Sequence, residues 1–249
     1  MPIDYMQSMI KEPFLPYSYK PIYWEVKIVL YPDIPGKRRK LSRKIVKRNN
    51  SRCTLKFPSW KMGKMIECDS FLEKNSFTLF DVAINVKYYT EQPALILYML
   101  DGKKHKHYPD ALIETVKGKT FIEIKTFKDS EREEVLKRTE HLQRMLPKHG
   151  YNYMVLTDRD ICKQPRLSNA QYLLRHGRKF LKHSEYIEYR NRLGGKDYLL
   201  WGNVLSNNIK PLDHGKVCRL ILDKKVRIPM EEVWTENTRL TFIDRQGDY

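Results

Sequence analysis

The sequence of 249 residues lacks several features that would restrict where the protein works and what chemistry it performs. It has no apolar run of about 18 residues, so no membrane-spanning helix is expected. Its first residues do not follow the basic and then apolar layout of a signal peptide, so we expect a cytoplasmic protein. No Cys-x-x-Cys pair occurs, so a zinc site is not expected. The scattered cysteines are Cys53, Cys68, Cys162 and Cys218.

Positive charge is abundant, with 47 Lys and Arg residues against 30 Asp and Glu and a net charge of +17. This balance favours a polyanionic partner, because basic side chains that neutralise phosphates release condensed counterions. One basic segment could contact DNA phosphates without reading sequence, or could simply be a solvated arm. Its candidate DNA-binding residues are Lys37, Arg38, Arg39, Lys40, Arg43 and Lys44.

Hydrophobic periodicity predicts an α/β core in which helices flank a mixed sheet. A first strand is expected over residues 23–30. A helix capped by Asp69 or Ser70 should follow, and a later helix capped by Asp129 or Ser130 should reach about Leu146. The predicted strands between and after them are Val86–Tyr89, Leu95–Leu100, Tyr108–Ile113, Thr120–Lys125 and Tyr151–Leu156.

The C-terminal third has a different pattern. Helices are predicted over 168–182, 183–193, 197–206 and 213–223, followed by two strands at 225–228 and 239–243 that could pair. Helices followed by such a wing would form a winged-helix-like module, and the alternative is a helical cap on the core. The predicted domains are an extension with the basic segment over 1–60, an α/β domain over 61–165 and a helical or winged-helix-like domain over 166–249.

Three charged residues of two successive strands carry the candidate chemistry. Asp110 begins one strand, whereas Glu123 and Lys125 lie at the end of the next on one face, because strand side chains alternate. The turn between the strands makes Asp110 and Glu123 neighbours. An exposed strand with an ion pair is the alternative, but Phe121, Ile122 and Ile124 make this strand largely apolar.

Two carboxylates and an ammonium suit metal-dependent phosphodiester hydrolysis. Mg²⁺ or Mn²⁺, two ions per site, would be held by Asp110 and Glu123, with the Ile124 carbonyl as a further ligand. Lys125 would orient the attacking water and offset negative charge on the phosphate. His105 and His107 precede the Asp110 strand and are expected to be surface histidines beside a turn.

The ordered motifs resemble the PD-(D/E)xK nuclease superfamily and, within it, the TnsA family. The resemblance implies a restriction-endonuclease-like core, so that the domain over 61–165 would be a nuclease domain. The residues that carry the resemblance are Asp69–Glu73, Tyr89–Pro93, Tyr108–Asp110, Phe121–Lys125 and Val155–Ile161. On Glu73, spacing alone indicates an ordinary solvated helix residue. The resemblance implies instead that Glu73 joins the catalytic group and binds metal.

The resemblance also implies a biological role. TnsA-like proteins are bacterial endonuclease subunits of cut-and-paste transposases. They hydrolyse the non-transferred strand at transposon ends together with a TnsB-like DDE transposase, and a TnsC-like AAA+ regulator contacts the C-terminal part. Two alternatives remain: a stand-alone restriction or repair nuclease of the superfamily, and a non-catalytic DNA-binding protein. The intact Asp110, Glu123 and Lys125 argue against the second alternative.

Overall fold

The computed structural model describes residues 26–31, 55–192, 198–210 and 212–243. The predicted basic segment from Lys37 to Lys44 therefore lies outside the described residues, as does the start of the first predicted strand. Within the described ranges, no helix has both the length and the apolar character that crossing a membrane requires.

The described residues form a mixed α/β fold. Its strands are β1 (Lys27–Leu30), β2 (Leu55–Pro58), β3 (Met65–Cys68), β4 (Val86–Glu91), β5 (Ala94–Leu100), β6 (Lys103–His107), β7 (Ala111–Thr115), β8 (Gly118–Lys125), β9 (Tyr151–Thr157), β10 (Tyr198–Leu200), β11 (Val226–Arg227) and β12 (Arg239–Phe242). Its helices are α1 (Phe71–Val82), α2 (Phe127–Ser130), α3 (Glu133–Met145), α4 (Asp158–Ile161), α5 (Arg166–His176), α6 (His183–Arg192), α7 (Trp201–Leu205) and α8 (His214–Leu222).

The central feature is a four-stranded mixed sheet with the order β4-β7-β8-β9. β4, β7 and β8 are antiparallel, whereas β9 runs parallel to β8 after a crossover through α2 and α3. Helix α1 contacts β8, and α3 contacts β9. The predicted mixed sheet with flanking helices is therefore confirmed.

Strand β5 does not belong to the four-stranded sheet. It lies between β1 and β6 in a second, three-stranded sheet. A turn at Asp101-Gly102 joins β5 to β6. The sequence did not indicate β6, because lysine is uncommon in strands. The strand predicted to start at Tyr108 begins only at Ala111. Residues 108–110 instead connect the two sheets, and Pro109 has no N–H to donate to a ladder.

Helix caps explain one confirmed boundary and one wrong one. The Ser70 hydroxyl accepts the Glu73 N–H and begins α1, as predicted. The prediction that Asp129 or Ser130 begins the long helix was wrong. Thr126 caps the short helix α2, which ends at Ser130, and α3 begins separately at Glu133.

The C-terminal part combines helices α5 to α8 with an antiparallel sheet of order β10-β12-β11. The pairing of β11 with β12 was expected. The helix predicted over 197–206 was wrong in its first half, where β10 pairs with β12 before α7 begins. The helix predicted over 168–182 ends earlier, at His176, and Gly177 is its C-cap residue.

The buried Asp81 side chain fixes α1 to the loop after β2. Its carboxylate accepts hydrogen bonds from the Ser59 hydroxyl at 2.6 Å, the Trp60 N–H at 2.8 Å, the Lys61 N–H at 3.0 Å and the Tyr89 hydroxyl at 2.6 Å. A buried carboxylate is stable only when such donors replace water. Asp81 therefore holds in place the helix that carries Glu73.

We predict that Asp81→Ala lowers the free energy of unfolding by about 3 kcal/mol, because the substitution leaves buried donors without an acceptor. The midpoint of thermal unfolding should fall by roughly 6–12 °C. Glu134→Ala, at an exposed position of α3, is the control and should change stability by less than about 0.5 kcal/mol. Equal unfolding midpoints for the two variants would contradict this account of Asp81.

Candidate active site

The pairing of β7 with β8 brings two acidic residues together. Ala111 lies opposite Ile122, so Asp110, the residue before β7, comes next to Glu123. The Ile124 N–H donates a hydrogen bond of 2.7 Å to Oδ2 of Asp110. The main chain of β8 thus fixes the Asp110 carboxyl beside the Glu123 side chain.

Glu123 is 3 % exposed and is surrounded by basic groups. Its Oε1 lies 2.9 Å from Nζ of Lys125 and 3.2 Å from Nη2 of Arg138, which belongs to α3. Its Oε2 is buried, and no donor in the described part of the chain hydrogen-bonds to it. Oε1 of Glu123 therefore lies close to two donors, whereas Oε2 accepts no hydrogen bond from the described residues.

His107 contradicts the expectation of a surface histidine beside a turn. It ends β6 and is 6 % exposed, with Nε2 at 3.3 Å from Oε2 of Glu123 and at 3.0 Å from the Tyr153 hydroxyl. Burial lowers the pKa of His107 to about 4, against the opposing charge of Glu123. The imidazole is thus neutral near pH 7, and its contact with Glu123 is not an ion pair.

His105, by contrast, is partly exposed near the Asp101-Gly102 turn, where its ring stacks on Tyr98 with ring centroids 5.3 Å apart.

The crowded charges change the acidity of the site. Burial, reinforced by the negative charges of Glu123 and Glu73, raises the pKa of Asp110 to about 8. Burial lowers the pKa of Lys125, but the ion pair with Glu123 more than offsets this, so the pKa of Lys125 lies above its ordinary value. Without a metal, the surroundings therefore favour the protonated form of Asp110 and the charged form of Lys125.

Glu73 lies at the first turn of α1 and is close enough for its charge to influence Asp110. Its Oε2 accepts the Asp69 N–H at 2.8 Å, and its Oε1 lies 3.4 Å from the Ser70 hydroxyl. The Glu73 side chain thus takes part in capping α1 in this arrangement.

The donor chemistry of the site suits a hard divalent cation. Asp110 and Glu123 supply carboxylates, and Oε2 of Glu123 is a buried oxygen without a hydrogen-bond donor. The arrangement is not a finished cage, because the described residues contain no group of three or more His, Cys, Asp or Glu side chains that could hold a metal ion. We conclude that the carboxylates fit a metal that brings waters and substrate oxygens as its remaining ligands.

Sequence reasoning missed Arg138 and Tyr153 and misjudged His107. A signal for Arg138 was present, because it lies three residues after Val135 and four before Leu142, on the apolar face of α3. A guanidinium on a buried helix face needs a partner. No comparable pattern marked Tyr153 or His107, since their partners come from other elements.

The segment that contains most of this site matches a known protein family. Residues 84–158 match the family model for the TnsA-like endonuclease N-terminal domain. This segment includes Asp110, Glu123, Lys125 and Arg138, whereas Glu73 lies before it. A search of curated proteins found no match to the chain.

We predict that Asp110→Asn stabilises the metal-free protein more at high pH than at low pH. The pKa of Asp110 rises from 3.8 to about 8 in the folded chain, so ionisation increasingly disfavours folding between these values. Asparagine can still accept the Ile124 N–H but cannot ionise. In a chelator, its gain in unfolding midpoint over wild type should be at least about 3 °C larger at about pH 9 than at about pH 5. The same gain at both pH values would rule out the raised pKa.

Proposed function

We propose that the protein is a metal-dependent DNA endonuclease of a cut-and-paste transposase. The premise is that residues 84–158 match the TnsA-like endonuclease N-terminal domain. It would hydrolyse the non-transferred strand at transposon ends beside a TnsB-like DDE transposase. The observation that carries the proposal is the buried Glu123 carboxylate, which lies between Asp110 and Lys125 inside the matched segment. The family match by itself implies nuclease activity.

Each side chain of the site has a role in this proposal. Asp110 and Glu123 would hold Mg²⁺ or Mn²⁺, with the Ile124 carbonyl as a further ligand. Glu73 would join them only by turning away from its capping hydrogen bond with the Asp69 N–H. The metal would supply Lewis-acid activation of water and stabilise charge on the phosphate. The Ile124 N–H keeps the Asp110 carboxyl aimed at the site. Lys125 would turn from Glu123 towards the attacking water and hold it in line with the scissile bond.

Substrate DNA would also contact basic residues outside the catalytic cluster. We retain Lys37, Arg38, Arg39, Lys40, Arg43 and Lys44 as proposed phosphate-binding residues. The net charge of +17 supports a DNA partner, because phosphate neutralisation is the main source of non-specific affinity.

For the C-terminal part, after about residue 165, we propose a winged-helix-like module that the TnsC-like AAA+ regulator contacts. The order of β10, α7, α8, β11 and β12, with β12 central in its sheet, supports this topology. Helix α8 has no exposed residue, and its Arg219 guanidinium lies 4.1 Å from the centre of the Trp60 ring. In this arrangement α8 packs against the nuclease core, so other elements of the module would have to contact DNA.

An end-cleavage assay with the partner transposase and Mg²⁺ tests the proposal. Asp110→Ala should reduce strand cleavage at least about a thousandfold, because losing a metal ligand removes several kcal/mol of transition-state stabilisation. DNA affinity and complex assembly should persist. The matched control is Glu114→Ala, which removes an acid from β7 that faces a lysine at 3.9 Å, and it should cleave like wild type.

Cleavage by Asp110→Ala at the wild-type rate would contradict the proposed site. Efficient, specific cleavage by the isolated chain would instead favour a stand-alone nuclease and overturn the partnership.

A further inference from the structure

The position of Arg138 is unusual for an arginine that serves only as a surface charge. Its side chain is 21 % exposed, on the same face of α3 as the buried Val135 and Leu142. Buried ion pairs stabilise a fold little, because desolvation offsets the attraction between the charges. A role in stability alone therefore does not account for a guanidinium at this position.

The two oxygens of Glu123 have different surroundings. Arg138 and Lys125 both contact Oε1, at 3.2 and 2.9 Å. Oε2 has no hydrogen-bond donor in the described part of the chain, and the nearby His107 Nε2 is engaged by the Tyr153 hydroxyl. Donors on one oxygen only would fix the rotation of the carboxylate about its last bond and leave Oε2 as the ligand atom.

The two cations on Oε1 are not equivalent. Lys125 is 35 % exposed and, in the proposed reaction, leaves Glu123 to position the attacking water. Arg138 is more enclosed, and its planar guanidinium comes from a helix that packs on β9. When Lys125 turns away, Arg138 is the donor that continues to hold Oε1.

We propose that Arg138 is a positioning residue that holds Glu123 through Oε1 so that Oε2 faces the divalent cation. This inference rests on the proposed function, since it concerns the same metal site. Groups that hydrogen-bond to metal ligands typically change metal affinity by about 10–100-fold when they are removed. Loss of the positive charge of Arg138 would act in the opposite direction, by reducing repulsion of the cation. We expect loss of orientation to dominate, because the buried carboxylate would then be free to pair fully with Lys125.

The test is calorimetric titration of Mn²⁺ into metal-free wild type, Arg138→Met and Arg138→Lys. The Met variant keeps the aliphatic stem that packs on the core but has no donor. Its Mn²⁺ dissociation constant should rise about tenfold or more, and the Lys variant, with one shorter donor, should fall between. Arg144→Met, at an exposed position of the same helix, should bind Mn²⁺ like wild type. If the Met variant does not fold, the Lys variant supports the same comparison.

DNA cleavage gives a second readout. The half-saturating metal concentration should rise about tenfold in Arg138→Met, whereas KM for DNA should stay unchanged and kcat should recover to within about threefold at saturating metal. A fall in unfolding midpoint with unchanged Mn²⁺ affinity would reduce Arg138 to a structural residue and overturn the inference. Tighter Mn²⁺ binding would overturn it too, by showing that Arg138 competes with the cation.

Failure of wild type itself to bind Mn²⁺ would contradict the proposed function, and the inference with it. Metal binding by wild type with an unaffected Arg138→Met would refute the inference alone.

Discussion

The burial of one carboxylate, that of Glu123, is the constraint on which the site depends. A charged group 3 % exposed inside β8 is unfavourable unless neighbouring groups compensate for lost water. The compensation comes from Lys125 on the same strand and from Arg138, 15 residues away on the crossover helix. β8, α3 and the strands packed beside them must therefore keep a fixed arrangement for this residue to be tolerated.

The buried Glu123 side chain also affects the acidity of its neighbour Asp110. Burial of Asp110, reinforced by the negative charge of Glu123, raises the pKa of Asp110 to about 8. A divalent cation between the two carboxylates would remove this repulsion and displace the proton. The site is thus poorly satisfied without a cation, which is expected where binding and chemistry, rather than stability, determined the residues.

The elements that periodicity describes well were the predictable part of the fold. Alternation in Phe121–Lys125 and the Ser70 cap indicated β8 and α1, and the hairpin between β7 and β8 was sufficient to place Asp110 beside Glu123. Strand β6 was not predicted, because its lysines and histidines show no strand-like hydrophobic pattern. It forms a strand by pairing with β5. Arg138 and Tyr153 were missed for a related reason. The apolar face of α3 marked Arg138 as buried, but no local pattern encodes its contact with Glu123, 15 residues away, or the contact of Tyr153 with His107, 46 residues away.

A crystal structure of the protein with Mn²⁺, located by its anomalous scattering, tests the central claim most directly. The account predicts an ion directly coordinated by Oε2 of Glu123 and by a carboxylate oxygen of Asp110, with Arg138 still hydrogen-bonded to Oε1. Mn²⁺ bound elsewhere, with Glu123 still paired to Lys125 and Arg138 and no ion beside Asp110, would contradict the account.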